Sequence, residues 1–448
     1  MQIAYLYNEK LPKKTAHDVY IWRNVYFLSQ FSQASEPGHP FKVTYITGQS
    51  RPRVSMETLQ NHYLPSRHHF SSEVELISSQ PSFWNSFFKL SSSTSHQIGS
   101  FTWIEMPLWR KSGPFRLSWN LPFFHRCQRW IQTHQPEWVL MSVYKQASYH
   151  LKHRVQGVRY LFEVHDLAYY PEFNSQSTLQ STSQDLLTPK KQETIEIQKK
   201  TLEACDCITV TTEELKAALL NNPYNIKKPI YVVPLASEME PLLPAHSHNT
   251  VKLGYVGQLY PDQGVDVLVQ ALAHVEGLEL EVIGGNPTDL ERLQNLVYQL
   301  KLNDRVRFHG FVSPQALSSR LYGVDALVAP FYPTTHMRHV AHTKLVDYGR
   351  WALPVIAPDL PITRQEVRSD HFLFEASSYP KTLDSLIQTL HRVKDRKELQ
   401  KAQEEIEKDK VLHPTRFSWQ ERSQKLASIL QNPQNALNEV LTNPPRNT

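Results

Sequence analysis

A short span of this chain is dense in groups able to handle an anion. Between Phe331 and Lys344 stand His336, Arg338, His339, His342 and Lys344, and Asp347 follows one turn later. Upstream, Gly257-Gln-Leu-Tyr-Pro-Asp-Gln-Gly264 ends an apolar run, and its bracketing glycines let backbone come close to a ligand. A second centre is His165-Asp166, directly after the apolar run Tyr160–Val164. A histidine beside a carboxylate just past a buried strand is either a hydrogen-bonding and electrostatic pair for a reacting group or a satisfied structural histidine. His336, His339 and His342 at i, i+3 and i+6 invite a zinc reading. No carboxylate or thiol completes that set locally, so no metal is expected. Lys13, Lys14 and His17, in the polar loop Leu11–Asp18, could reach a phosphate or an acceptor, or could be ordinary solvated charges.

The elements around these residues alternate. Val251–Val256 predicts a strand entering the glycine turn, and Val265, Leu268, Ala271 and Leu272 then recur at helical spacing. Further strands are predicted at Leu278–Ile283, Val306–Phe308, Ala326–Ala329 and Pro354–Ala357, with helices at 288–301, 314–323 and 343–352. This rhythm predicts a parallel sheet covered on both faces. Ligands of such sheets bind beyond the carboxyl ends of the strands, at glycine turns and helix N-termini. The first half repeats the rhythm. Strands are predicted at Ile3–Tyr7, Phe41–Ile46, Val139–Met141, Tyr160–Val164, Ile208–Thr211 and Ile230–Leu235, with Val19, Trp22, Val25, Tyr26 and Leu28 near helical spacing. Thr212 is an expected N-cap for the helix after it. Residues 64–73, 91–98 and 174–190 read as loops, 191–204 and 393–411 as helices, and Ser237–Asn249 as an interdomain linker.

In this order the second half resembles the donor-binding half of retaining glycosyltransferases of family 4, which have the GT-B fold. The matching residues are the Gly257–Gly264 turn, Ile283-Gly-Gly, Asp304–Phe311, Gly323–Pro330, Lys344-Leu-Val-Asp-Tyr348 and Leu353–Pro361. The resemblance implies an α/β chain of two Rossmann-like domains facing a cleft, with a C-terminal helix crossing back to the first. The implied ranges are 1–240 for the acceptor side, 250–410 for the donor domain and 411–448 for the crossing helix and tail. It also implies transfer of a sugar from a nucleotide-sugar to an acceptor with retention, without a metal or other cofactor. Asp347 stands where a glutamate holds the ribose hydroxyls. Backbone near Phe311 would face the base, and the N–H groups of Thr343, Lys344 and Leu345 the diphosphate. Gly257 and Gly264 would shape the turn, and His165 would support the sugar as charge develops. Three positions depart from the family. Gln258 replaces an arginine, Gln263 a lysine, and His339 a glutamate that holds the donor sugar. The missing cations could be supplied by His336, Arg338, His339, His342 or Lys344, or the site could be altered.

The whole chain narrows the alternatives. Its 448 residues, 40% hydrophobic and 20% charged, suit two or three globular domains. There is no apolar run of spanning length and no opening signal-peptide pattern. Cys127, Cys205 and Cys207 make no disulfide framework, so a reducing cytoplasm is expected. A net charge of +5 permits attraction to an anionic inner membrane surface or a phosphorylated donor, but no nucleic-acid motif is present. Six of the nine tryptophans lie between Trp84 and Trp138 among basic residues. They form either a surface for peripheral membrane contact or a lipid acceptor, or plain core under loops. The acceptor could be a glycan, a lipid-linked sugar or a small molecule. The rival readings are a non-catalytic nucleotide-sugar binding protein and another enzyme on the same fold, such as a nucleotide-sugar epimerase.

Overall fold

The computed structural model describes residues 1–10, most of 21–29, 42–48, 76–77, 94–98, 101–106, 121–170, 188–239, 241–242, 250–312, 314–377 and 379–433. Among the described residues the first sheet is built from β1 (Gln2–Lys10), β2 (Lys42–Gly48), β3 (Leu76–Ile77), β4 (Thr94–Ile98), β5 (Phe101–Met106), β6 (Trp138–Met141), β7 (Arg159–Val164), β8 (Cys207–Val210) and β9 (Ile230–Val232). The strand order is β3-β4-β5-β2-β1-β6-β7-β8-β9, parallel from β5 to β9. Helices α1 (Leu121–His134), α2 (Tyr144–Lys152), α3 (Pro189–Glu203) and α4 (Glu213–Leu220) accompany it. The strands β6 and β8 are buried at every residue, as strands covered on both faces should be.

The second sheet contains β10 (Val251–Val256), β11 (Leu278–Ile283), β12 (Val306–Gly310), β13 (Ala326–Val328), β14 (Val355–Pro358) and β15 (Leu373–Phe374) in the order β12-β11-β10-β13-β14-β15. All its pairs are parallel. Its helices are α5 (Val265–Ala273), α6 (Pro287–Gln299), α7 (Pro314–Arg320), α8 (Thr343–Trp351), α9 (Pro361–Glu366), α10 (Tyr379–Lys394) and α11 (Arg396–Leu412). The chain builds outward from β10 to β12 and then restarts on the other side of β10 with β13. That reversal opens a crevice outside the carboxyl ends of β10 and β13.

The last helix, α12 (Trp419–Gln431), leaves the second lobe and buries Trp419, Leu426 and Leu430 in the core of the first, with Ile3, Tyr5 and Val25. Phe27 stacks on Trp419 at 5.6 Å, and the Trp138 indole donates to Leu430 O at 2.9 Å. Arg422 carries its charge to the end of β7. It is 2% exposed, pairs with Glu163, and donates to the carbonyls of Val233 and Pro234.

Several expectations were too coarse. Residues 94–98 are not loop but β4, antiparallel to β3 and β5; a polar strand has no apolar alternation to reveal it. The helix expected at 393–411 is α11, and its first two expected residues belong instead to the end of α10. The two helices divide at Asp395, whose side chain accepts from Lys397 N at 2.8 Å and caps α11. Helices α1, α2, α9 and α10 and the strands β3, β5 and β15 were unexpected. The stretch 64–73 and most of 174–190 lie outside the described residues; α3 begins at Pro189, with Thr188 as its cap.

Candidate functional site

The carboxyl ends of β10, β11 and β12 fold over one another through glycines. Gly257 N donates to Ile283 O at 3.0 Å, and Gly284 N to Gly310 O at 2.7 Å. A side chain at Gly284 would begin 2.2 Å from Gly257 O, so only glycine permits this stacking. Gly264, at φ +68°, closes the turn against β13's exit: a Cβ there would meet Pro330 O at 1.9 Å. Phe311, just past β12, is 83% exposed.

Helix α8 is pinned to the same end of the sheet. The Tyr348 hydroxyl accepts from Val256 N at 2.9 Å and lies 3.3 Å from the carbonyls of Val256 and Val328. One turn earlier, Lys344 folds onto the Gly257 turn. Its ammonium donates to Gln263 Oε1 at 2.6 Å and to the Tyr255 hydroxyl at 2.9 Å, and lies 4.4 Å from the Tyr255 ring centre. Burial pushes Lys344 down to about 7, with Asp262 partly opposing. Gln258 is exposed, and its carbonyl accepts from the Tyr255 hydroxyl. Thr343 opens α8 and His342 gives it no side-chain cap. The Leu345 N–H donates to His342 O at 2.9 Å and its side chain is core, so the first two N–H groups of the helix are its outward donors.

The loop before α8 crosses to the first lobe. Thr212 is the cap of α4, accepting from Leu215 N at 3.0 Å, and its hydroxyl donates to His339 O at 2.6 Å. His336 Nε2 lies 3.8 Å from Asp166 Oδ1, and the Tyr170 ring stands 4.9 Å from His339 and 5.9 Å from His336. Tyr170 donates to Asp166, which also receives Leu167 N at 2.7 Å. His339 is buried; its Nδ1 is 2.7 Å from Thr335 O, and burial lowers its pKa, which favours a neutral ring donating to that carbonyl. His165 Nε2 stands 3.7 Å from Glu163 Oε2, the carboxylate that Arg422 holds. Asp166, Tyr170, His336 and His339 therefore meet at one junction between the lobes, with His165 next to Asp166 in the chain and on the Glu163 side.

Other expected residues lie around it. Arg338 is partly buried and donates from Nε to Pro333 O at 3.0 Å; burial lowers its pKa. His342 is turned away into a buried pair with Glu366, 3.2 Å from Nδ1, and against Phe331. Asp347 is raised to about 6 by burial, opposed by a hydrogen bond from Ser237 and by Arg23, which itself pairs with Glu238. Lys13, Lys14 and His17 lie outside the described residues. Among the described residues no cluster of three or more metal-ligating side chains occurs. Tyr255, Tyr170, Glu163 and Arg422 escaped the sequence reading. The tyrosines sit inside apolar runs, and Arg422 is 259 residues from its partner.

The geometry is that of a sheet-end crevice whose second wall is the other lobe, and known proteins share the fold that builds it. Residues 250–396 match the family model described as glycosyl transferases group 1. No curated protein sequence matches the chain. Among solved structures, the sucrose-phosphate synthase of Thermosynechococcus elongatus is similar at TM-score 0.62 and 15% identity, over 97% of this chain and 100% of that one. A glycosyltransferase from Rickettsia africae gives 0.61 and 13%, over 99% of each. HepE of Anabaena, in complex with UDP, gives 0.61 and 13%, over 96% and 100%. These likenesses establish the two-lobed GT-B fold. With the domain match, they support a glycosyltransferase.

Proposed function

We propose that this chain is a retaining, metal-independent glycosyltransferase of the family 4 type that moves a hexosyl group from a nucleotide-sugar to an acceptor entering from the first lobe. One observation carries the reading. The loop leading into α8, at the crevice end of the second sheet, meets the first lobe beyond the ends of β7 and β8, through Asp166–His336 and Thr212–His339. A donor lying on the glycine ends of β10–β12 would then present its sugar to that junction. HepE of Anabaena is solved with UDP and with UDP-glucose, which favours a UDP-sugar as the first donor to try.

In this reading the base lies beside Phe311, Asp347 takes the ribose hydroxyls after releasing Ser237, and the first turn of α8 faces the diphosphate. His165 and His339 hydrogen-bond the sugar as charge develops, and Asp166 with Tyr170 holds the histidine pair's surroundings. No side chain at the junction needs to serve as a strong base. The leaving phosphate guides the acceptor to the front face, and the protein contributes positioning and charge stabilisation. The acceptor is a glycan, a lipid-linked sugar or a small molecule, and the place of action is the cytoplasm or its membrane surface. No described helix is long and apolar enough to cross a membrane.

A thermal-shift screen across nucleotide-sugars tests the reading, because a specific donor stabilises the fold by mass action. One donor should raise the melting temperature, and Asp347→Ala should abolish that rise. No shift with any nucleotide-sugar would count against the reading. Binding without turnover of any donor would favour a non-catalytic binding protein, the alternative that Gln258, Gln263 and His339 support.

A further inference from the structure

Lys344 is the side chain at the crevice whose environment asks for a ligand. Its ammonium is partly buried, yet both groups that bind it, Gln263 Oε1 and the Tyr255 hydroxyl, are neutral. Of the described carboxylates, Asp262 acts on it through space rather than in a contact. A desolvated charge without a counter-charge is costly, and an anion relieves that cost. The ammonium stands directly over the Gly257 turn, where a Cβ would lie 3.2 Å from Nζ. The ammonium is also in the first turn of a nine-residue helix, whose N-terminal dipole favours an anion there.

We propose that Lys344, oriented by Gln263, is the cation that receives the diphosphate of the nucleotide-sugar, so that the positive charge missing at 258 and 263 has moved across one hydrogen bond rather than been lost. This rests on the nucleotide-sugar reading above. Gln263 acts through Lys344: its carbonyl oxygen fixes the ammonium beside Gly257, and a lysine at 263 would place a second ammonium at the same 2.6 Å contact. Positions 263 and 344 thus accommodate one cation between them. Of the basic groups in the preceding loop, His342 pairs with Glu366, His339 Nδ1 with Thr335 O and Arg338 Nε with Pro333 O, and His336 lies toward Asp166 at 3.8 Å, while Lys344 stands at the turn.

The interaction predicts an exchange. By titration calorimetry with UDP, Lys344→Gln should weaken binding roughly 10–100-fold, the worth of a charge-assisted hydrogen bond. The double variant Gln263→Lys with Lys344→Gln should return affinity to within about five-fold of the parent, because it restores one ammonium to the same contact. Melting curves confirm that each variant folds. The pH profile separates this role from a structural one. Lys344 faces Tyr255 from β10 and Asp262 and Gln263 from the turn, and with its pKa near 7 the free protein must take up a proton to bind an anion at higher pH. Affinity for UDP should therefore fall from pH 7 to pH 9, whereas Lys344→Arg should stay flat. If UDP binds the parent and a folded Lys344→Gln variant equally, or if the exchange restores nothing, the proposal is overturned while the donor reading stands. If the parent binds none of UDP, ADP, GDP or dTDP, both are overturned.

Discussion

Replacing Arg422 by methionine would test how the crossing helix is held beneath the junction. Its guanidinium is 2% exposed and pairs with Glu163, 5% exposed, and it also satisfies the carbonyls of Val233 and Pro234. Removing one partner of a buried pair leaves the other charge uncompensated, at about 3–5 kcal/mol. A domain of this size loses roughly 2–4 °C of Tm per kcal/mol, so the expected loss is about 6–20 °C by scanning calorimetry. The double variant Glu163→Gln with Arg422→Met removes both charges and should recover part of that loss, a positive coupling between neighbours. The acid limb gives an independent sign. Burial alone would raise the Glu163 pKa, but Arg422 and His165 outweigh it and hold the carboxyl well below its usual range. A group depressed in the fold contributes stability above its unfolded pKa of about 4.3, and that stability is lost as pH falls below it. The Tm gap between the parent and Glu163→Gln should therefore narrow below about pH 4. A Tm loss under about 2 °C for Arg422→Met, or strictly additive single variants, would refute a buried ionic lock.

Three further outcomes follow from the site. Asp347, raised to about 6 by burial, is a charge the fold disfavours, so its cost grows as pH rises from about 4 to 6 and then levels. In the absence of nucleotide, Asp347→Asn should melt with the parent near pH 4 and above it at pH 7.5; an unchanged gap across that range would count against its burial. Gly264→Ala would drive a Cβ into Pro330 O at a left-handed φ, so it should lower Tm by about 10 °C or more or prevent soluble expression, a change read directly in melts. Thr212→Val removes the cap of α4 and the bond to His339 O, and should cost about 1–2 kcal/mol in denaturant unfolding. A cost near zero would mean the bond between lobes carries no stability.

Much of the second lobe was legible because its parallel strands are short, mostly apolar segments stopped by glycine or proline, as at Val251–Gly257 and, despite Glu279 and Glu281, Leu278–Gly284. The Thr212 cap was legible because capping is local in sequence. The junction was not. His165 and Asp166 could be marked as candidates, but nothing local says that His336 and His339 pack against Tyr170, a contact made by folding one lobe against another. The relation of Lys344 to Gln263 was equally hidden. Both residues stood out, one as a basic group and one as a departure, while their hydrogen bond depends on the tilt of α8 that Tyr348 sets at the ends of β10 and β13. The polar strand β4 and the division at Asp395 were lost because neither interrupts an apolar pattern.

The central claim, sugar transfer with retention from a nucleotide-sugar, is tested most directly by proton NMR of a donor identified in the thermal-shift screen, followed with time, with and without EDTA. The account predicts release of the nucleoside diphosphate, a first-formed product with the donor's anomeric configuration, and rates indifferent to the chelator. Inverted product, or a donor that binds tightly and is never consumed with any acceptor class, would contradict it.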